Sequence, residues 1–254
     1  MKPINVGLLG LGTVGAGTIQ VLRRNKDEIA RRAGREIRVS HATARDLTKA
    51  RNFSLDGIEM LTNADELVIH PDIDIVCELI GGDTFTKALV LKAIANGKHV
   101  VTANKALLAK HGTEIFAAAL ENRVTVAFEA AVAGGVPIIK ALREGLTANR
   151  IEWIAGIING TSNFILSEMR SRGASFDSVL AEAQAMGYAE ADPTFDIEGI
   201  DAAHKLTILS AIAFGVPPQF DKAYTEGIST LTDKDIKYAE QLGYRIKLLG
   251  ITRR

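Results

Sequence analysis

Apolar and polar positions in the first half of the chain switch repeatedly between two periods. Ile4 to Leu9 is a short apolar run, the pattern of a strand buried on both faces. From Val14 to Arg32 the apolar residues Val14, Ile19, Val21, Leu22 and Ile29 recur at helical spacing among charges. Glu36 to Ala44 predicts a second strand, with Ile37 and Val39 alternating against polar neighbours, and Ile73 to Ile80 a third. A helix over Lys87 to Ala95 ends at Asn96-Gly97, a good C-terminal stop. His99 to Thr102 reads as a strand, followed by a helix to about Asn122 and the strand Val124 to Glu129. Strands alternating with helices imply right-handed crossovers and a doubly wound parallel sheet, an α/β fold.

After Ala130 the pattern changes. Ala131-Val132-Ala133-Gly134-Gly135-Val136-Pro137 is a small-residue crossover into a second region. There, helices are predicted over Ile138–Leu146, Asn163–Arg172, Ser178–Met186, Gly199–Phe214 and Asp233–Leu242. Arg150–Ile158 and Tyr244–Ile251 have strand character, and Trp153 is expected in the core. The division is therefore a doubly wound, Rossmann-type domain over 1–130 and an α+β region over 131–254. A strand at the very end with nothing after it predicts a truncated chain.

Composition narrows the function. With 47% hydrophobic and 24% charged residues the chain reads as an ordinary globular protein. Thirty basic residues balance thirty acidic ones, which disfavours nucleic acid and membrane surfaces as partners. A local basic cluster for one phosphate stays open. One cysteine, Cys77, forms no internal disulfide, and no secretory signal or membrane span is visible, so a cytoplasmic setting is expected.

The chemistry begins at Gly10-Leu11-Gly12-Thr13-Val14-Gly15, between an apolar strand and a helix. The first glycine permits a tight turn, the second lets a pyrophosphate approach the backbone, and the third lets helix and strand pack closely. The helix start then offers N–H groups to the phosphates. The second strand ends at Thr43-Ala44-Arg45, with Lys49 and Arg51 behind. Arg45 suits a 2′-phosphate and so NADP, while Asp46 is a rival for a ribose hydroxyl and hence NAD. A solvated loop accommodates all four charges equally. Lys105, in Thr102-Ala103-Asn104-Lys105, stands just past a strand, at the sheet edge where ligands bind.

In the second region, Glu190, Asp192, Asp196 and Asp201 lie close together in sequence, with Pro193 and Gly199 shaping the loop. They suit recognition of an ammonium group. Asp201 and Lys205 share one face of a mostly apolar helix, where a carboxylate keeps a lysine charged and able to donate a proton to a carbonyl oxygen. The histidines His41, His70, His99, His111 and His204 show no metal-ligand spacing and read as surface or packing residues.

Together these segments resemble homoserine dehydrogenase over nearly the whole chain. The carriers are the glycine loop, Thr102-Ala103-Asn104-Lys105, Asn159-Gly160-Thr161-Ser162-Asn163, and Gly187-Tyr188-Ala189-Glu190-Ala191-Asp192-Pro193 through Lys205. The resemblance implies reversible reduction of L-aspartate 4-semialdehyde to L-homoserine, toward threonine and methionine, with NADP the cofactor that Arg45 favours. It implies Lys205 as proton donor, Asp201 holding it, and Lys105 between nicotinamide and substrate. Glu190 and Asp196 become ligands of the substrate's amino and hydroxyl ends, Gly160 and Thr161 line the same pocket, and Thr13 and Val14 touch the pyrophosphate. A monovalent cation, usually sodium, is implied at Glu129, Val132, Gly134 and Val136, and a homodimer through the second region. Members of the family normally continue well beyond position 254, often into a regulatory domain.

Rival readings are weaker. A sugar-oxidising dehydrogenase shares the look of Gly97-Lys98-His99-Val100-Val101, but its lysine sits in a Glu-Lys-Pro setting, here Asn104-Lys105-Ala106. A thioester-forming aldehyde dehydrogenase needs a reactive cysteine, and Cys77 within an apolar strand reads as a buried, inert thiol. A non-catalytic NADP sensor has no use for the carboxylates and lysine of the second region.

Overall fold

A computed structural model describes residues 1–46 and 51–254, which divide into two units, Met1–Pro137 and Ile138–Arg254. The sequence-based boundary at 130 falls in a 3-10 turn, Glu129–Ala131, near the end of the first unit. Lys49, one of the charges considered for the cofactor, lies outside the described residues.

The first unit runs β1 (Ile4–Leu9), α1 (Thr13–Arg24), α2 (Lys26–Ala33), β2 (Ile37–Thr43), β3 (Glu59–Leu61), α3 (Ala64–Ile69), β4 (Ile75–Glu78), α4 (Thr84–Ala95), β5 (His99–Thr102), α5 (Lys105–Glu121) and β6 (Val126–Ala127). All its strand pairs are parallel, in the order β3-β2-β1-β4-β5-β6. The chain leaves β1 in one direction and returns to β4 on its other side. The crevice at the carboxyl ends of β1 and β4 is thus the switch point at which such sheets bind ligands. Val6, Leu8, Val39, Ala42 and Cys77 pack with Ile19 of α1 on one face, which explains the apolar runs in β1 and β2.

Several boundaries differ from expectation. The helix predicted over Val14–Arg32 is two helices that break at Asn25, whose side chain favours local hydrogen bonding over a helix interior. The strand β3 and helix α3 carry too short a period to be read from sequence alone.

The second unit runs α6 (Ile138–Lys140, continuing as a π turn over Ala141–Gly145), β7 (Trp153–Gly156), α7 (Gly160–Arg172), α8 (Phe176–Ala185), α9 (Thr194–Ile197), α10 (Ile200–Phe214), α11 (Asp233–Gln241) and β8 (Gly250–Arg253). Strands β7 and β8 pair antiparallel. Ile165, Leu166 and Met169 of α7 pack with Val179 and Ala183 of α8 and Ile236 of α11. Helix α10 lies on β8, where Ser210 Oγ and Thr252 Oγ1 are 2.9 Å apart.

Two expectations fail here. Residues 244–249 form no strand. Their place is fixed by a side chain instead: Asn163 accepts from Leu248 N at 3.1 Å and donates to Leu248 O at 2.9 Å. Trp153 is not in the core. It is 61% exposed, because the outer face of a two-stranded sheet has no described layer to cover it. Among the described residues no helix is long and apolar enough to cross a membrane.

Candidate functional site

The glycine loop follows β1 at the switch point. Gly10 has φ +104°, and a Cβ there would lie 3.0 Å from Leu79 O, so a side chain is excluded twice over. A Cβ on Gly15 would collide with the Gly10 carbonyl oxygen, so this glycine is required by close helix–strand packing. Gly12 differs: a Cβ there would meet nothing within 4 Å among the described residues. Its side the protein leaves open, as a cradle for an approaching pyrophosphate requires.

Helix α1 starts on Gly12 without a side-chain cap and without an acidic residue in its first turn, and Thr13 and Val14 are exposed. Its first N–H groups therefore keep their hydrogen-bonding capacity and the positive end of the dipole for an anion. Arg45 is exposed, two residues past the end of β2. Asp46 is exposed beside it, and its carbonyl accepts from Arg51 Nη2 at 2.7 Å.

Lys105 is the first residue of α5, half-buried, and stands on a frame that the sequence reading overlooked. Glu78, wholly buried at the end of β4, accepts from Ile80 N and Gly81 N at 3.1 Å and from Thr102 Oγ1 at 2.5 Å. Thr102 Oγ1 in turn accepts from Asn104 N at 3.0 Å. Asn104 caps α5 by accepting from Leu107 N, and donates to Gly82 O at 2.6 Å. The turns after β4 and β5 are thereby locked together directly before the lysine. A glutamate closing the apolar strand Ile75-Val76-Cys77-Glu78 was the available signal, since a buried carboxylate needs partners.

In the second unit, Lys205 Nζ donates to Asp201 Oδ2 at 2.8 Å and to Ile158 O at 2.9 Å. Asp201 is 4% exposed. Among the described residues these bonds take two of the three ammonium protons. Asn159, 3% exposed, donates from Nδ2 to Asp196 Oδ1 at 2.7 Å and to Asp201 Oδ2 at 2.9 Å. Asp196, Asp201 and Lys205 are thus assembled around one amide that had been noted only as part of a motif. Gly160 and Thr161 follow it directly, and Thr161 Oγ1 donates to Tyr188 O at 3.0 Å, drawing the Gly187–Asp192 segment toward the start of α7.

Not every carboxylate joins. Glu190 is exposed, and among the described residues no hydrogen bond links its carboxylate to the network. Asp192 is exposed and accepts from Thr194 N at 3.1 Å; the Thr194 hydroxyl, and after it this N–H, hold its carboxyl below the usual range.

The segment implied for a cation contains the Glu129–Ala131 turn, half-buried Glu129, buried Val132 and exposed Gly134 and Val136. Glu129 O accepts from Val132 N at 3.2 Å and from Ala133 N at 3.3 Å. Among the described residues no group of three or more His, Cys, Asp or Glu side chains could hold a metal ion. Any ion here would rest on backbone oxygens and one carboxylate, a donor set that suits a hard, weakly charged cation.

The remaining candidates are structural. Lys98 is buried at the amino edge of β5, away from the switch point, and donates to Ile73 O at 2.6 Å; burial lowers its pKa. His41 stacks on His70, and His204 lies between Phe195 and Phe220. Cys77 is buried, and desolvation pushes its thiol up to about 11.

Two family models match the chain: "Homoserine dehydrogenase, NAD binding domain" over residues 10–129 and "Homoserine dehydrogenase" over residues 137–253. A homoserine dehydrogenase from Pseudomonas aeruginosa is 67% identical over 100% of this chain and 58% of its own length. The crystal structure of a homoserine dehydrogenase from Thiobacillus denitrificans superposes with a TM-score of 0.96 at 73% identity, over 100% of this chain and 58% of that one. A hyperthermophilic archaeal homoserine dehydrogenase in complex with NADPH gives a TM-score of 0.76 at 28% identity, over 91% of this chain and 75% of that one. The chain spans a little over half the length of the curated relatives it matches. With both halves of the sequence matched in register and the fold shared throughout, the chain belongs to the homoserine dehydrogenase family.

Proposed function

We propose that this chain interconverts L-homoserine and L-aspartate 4-semialdehyde with NADP, a step toward threonine and methionine. The observation that carries the reading is the Asp201–Lys205 pair, its carboxylate buried and its ammonium partly buried, with two of the three ammonium protons bonded among the described residues. A partly desolvated ion pair contributes little net stability, and one set in a cluster of further carboxylates is a candidate for chemistry. The nicotinamide, when bound, supplies or accepts the hydride at the substrate carbon. Lys205 donates the proton to the carbonyl oxygen in the reducing direction and recovers it in the oxidising one. Asp201 holds Lys205 in place and aims it.

Within this reading Asp196 and Glu190 receive the hydroxyl and ammonium ends of the substrate, beside Gly160 and Thr161. Lys105, fixed by the Glu78 frame, serves the nicotinamide and substrate. Gly10, Gly12, Thr13, Val14 and Gly15 take the pyrophosphate, and Arg45 the 2′-phosphate. The NADPH bound by the archaeal relative supports NADP as cofactor. Backbone oxygens of Val132, Gly134 and Val136, with Glu129, would hold a monovalent cation, for which sodium is the first choice. The second unit is assigned to homodimer formation, and the enzyme to the cytoplasm.

The test is homoserine-dependent reduction of NADP and NAD by the chain and by Lys205→Ala. Loss of a positioned proton donor lowers turnover by about 10²- to 10⁴-fold. Cofactor affinity, followed by nicotinamide fluorescence, is expected to stay unchanged. Undiminished turnover in the variant would remove Lys205 from the role.

A further inference from the structure

Asn159 makes three hydrogen bonds that no other side chain of the unit could replace together. Its Oδ1 accepts from Ser162 N at 2.9 Å and caps α7. Its two amide protons go to two different carboxylates, Asp196 on α9 and Asp201 on α10. Flipping the amide would set an oxygen against both carboxylates and an N–H against an N–H, so the orientation is fixed by its partners. The Asp201 oxygen that Asn159 contacts, Oδ2, is the same one that receives Lys205. The second anchor of Lys205, Ile158 O, belongs to the preceding residue. Ser162 Oγ also donates to Asp196 O at 2.9 Å. One turn, residues 158–162, therefore ties together the two short segments that carry the carboxylates.

We infer that Asn159 is a positioning residue: its amide bridges Asp196 and Asp201 and thereby fixes the carboxylate on which Lys205 is aimed. The inference rests on the reading of Lys205 as proton donor. Without the bridge, the Asp201 oxygen that receives Lys205 loses one of the donors that orient it. The charge on Asp196 then faces Asp201 without the Asn159 amide between them.

Capping α7 and bridging the carboxylates are separable. Asn159→Ser and Asn159→Asp both keep an oxygen for Ser162 N, since serine and aspartate are good helix caps. Both remove the bridging donor. In Asn159→Asp a third carboxylate faces Asp196 from α9 and Asp201 from α10, beside the Lys205 ammonium on Asp201. Like charges in contact favour taking up a proton, which raises the folded-state pKa of the introduced group. A raised pKa contributes stability that is present at low pH and lost as pH rises.

The Asp variant is therefore expected to melt below wild type near about pH 8, with the gap closing toward about pH 5. The Ser variant also loses the bridge but adds no charge, so it should melt below wild type with a smaller change between the two pH values. With homoserine, both variants should lose kcat by about 10²-fold, the scale of a misplaced catalytic group, with the KM for cofactor unchanged. Values of kcat within about twofold of wild type in both variants would overturn the positioning role and leave the dehydrogenase reading standing. Should the wild-type chain not turn over homoserine, that reading falls and the melting curves decide the bridge alone. A gap that does not change with pH would overturn it.

Discussion

The two units build their sites from different materials. In the first, the candidate site rests on backbone: a left-handed Gly10, an open side at Gly12, an uncapped start to α1 and the ends of β1 and β4. In the second it rests on side chains, with Asn159, Asp196, Asp201 and Lys205 joined by hydrogen bonds of 2.7–2.9 Å. Backbone sites follow from the order of elements and tolerate varied neighbours. Side-chain sites depend on each partner being present, because a half-satisfied buried polar network is costly.

The comparison can be broken first at the glycines. Gly15→Ala drives a methyl group into the Gly10 carbonyl, and such overpacking destabilises by about 1–3 kcal/mol. Chemical denaturation of the chain should show it. Gly12→Ala meets no described protein atom, so the same denaturation curve should stay close to wild type. Its NADPH affinity should nevertheless fall by about tenfold or more, because the added methyl occupies the approach of the pyrophosphate. Equal stability losses in the two variants would show that Gly12, too, answers to the protein and not to the ligand.

A smaller effect is expected at Arg45. Replacing it with Ala removes a charge-assisted contact, so NADPH use should weaken by about tenfold while NADH use is largely kept. Equal loss with both cofactors would move the 2′-phosphate elsewhere. The smallest effect is at Cys77. Burial holds its thiol near a pKa of about 11, so it stays protonated at neutral pH and thiolate-directed alkylation of the native chain should leave turnover unchanged.

The contrast also explains what could be read from sequence. Gly10 to Gly15 was legible because strand, loop and helix come in one contiguous stretch. Lys205 and Asp201 were legible because four positions on a helix share a face. Asn159 and Glu78 were not assigned roles, since their partners lie far along the chain: Asn159 meets residues 37 and 42 positions away, and Glu78 meets Thr102, 24 away. Trp153 was misplaced for a related reason. Its residue type favours burial, but exposure is decided by which layer covers β7, and no local pattern reports that. The stretch 244–249 looked like a strand because it carries strand residues, yet its partner is the Asn163 side chain.

That last contact has a consequence for synthesis. Every strand pair of the first unit is complete once Ala127 has left the ribosome. The second unit waits much longer. Asn163 cannot close on Leu248, nor β7 on β8, until 85 further residues have followed Asn163 and the Gly250–Arg253 segment has emerged. A nascent chain can therefore hold a folded nucleotide unit while α7 and β7 are still unpaired, and during that interval their apolar surfaces are the ones open to chaperones.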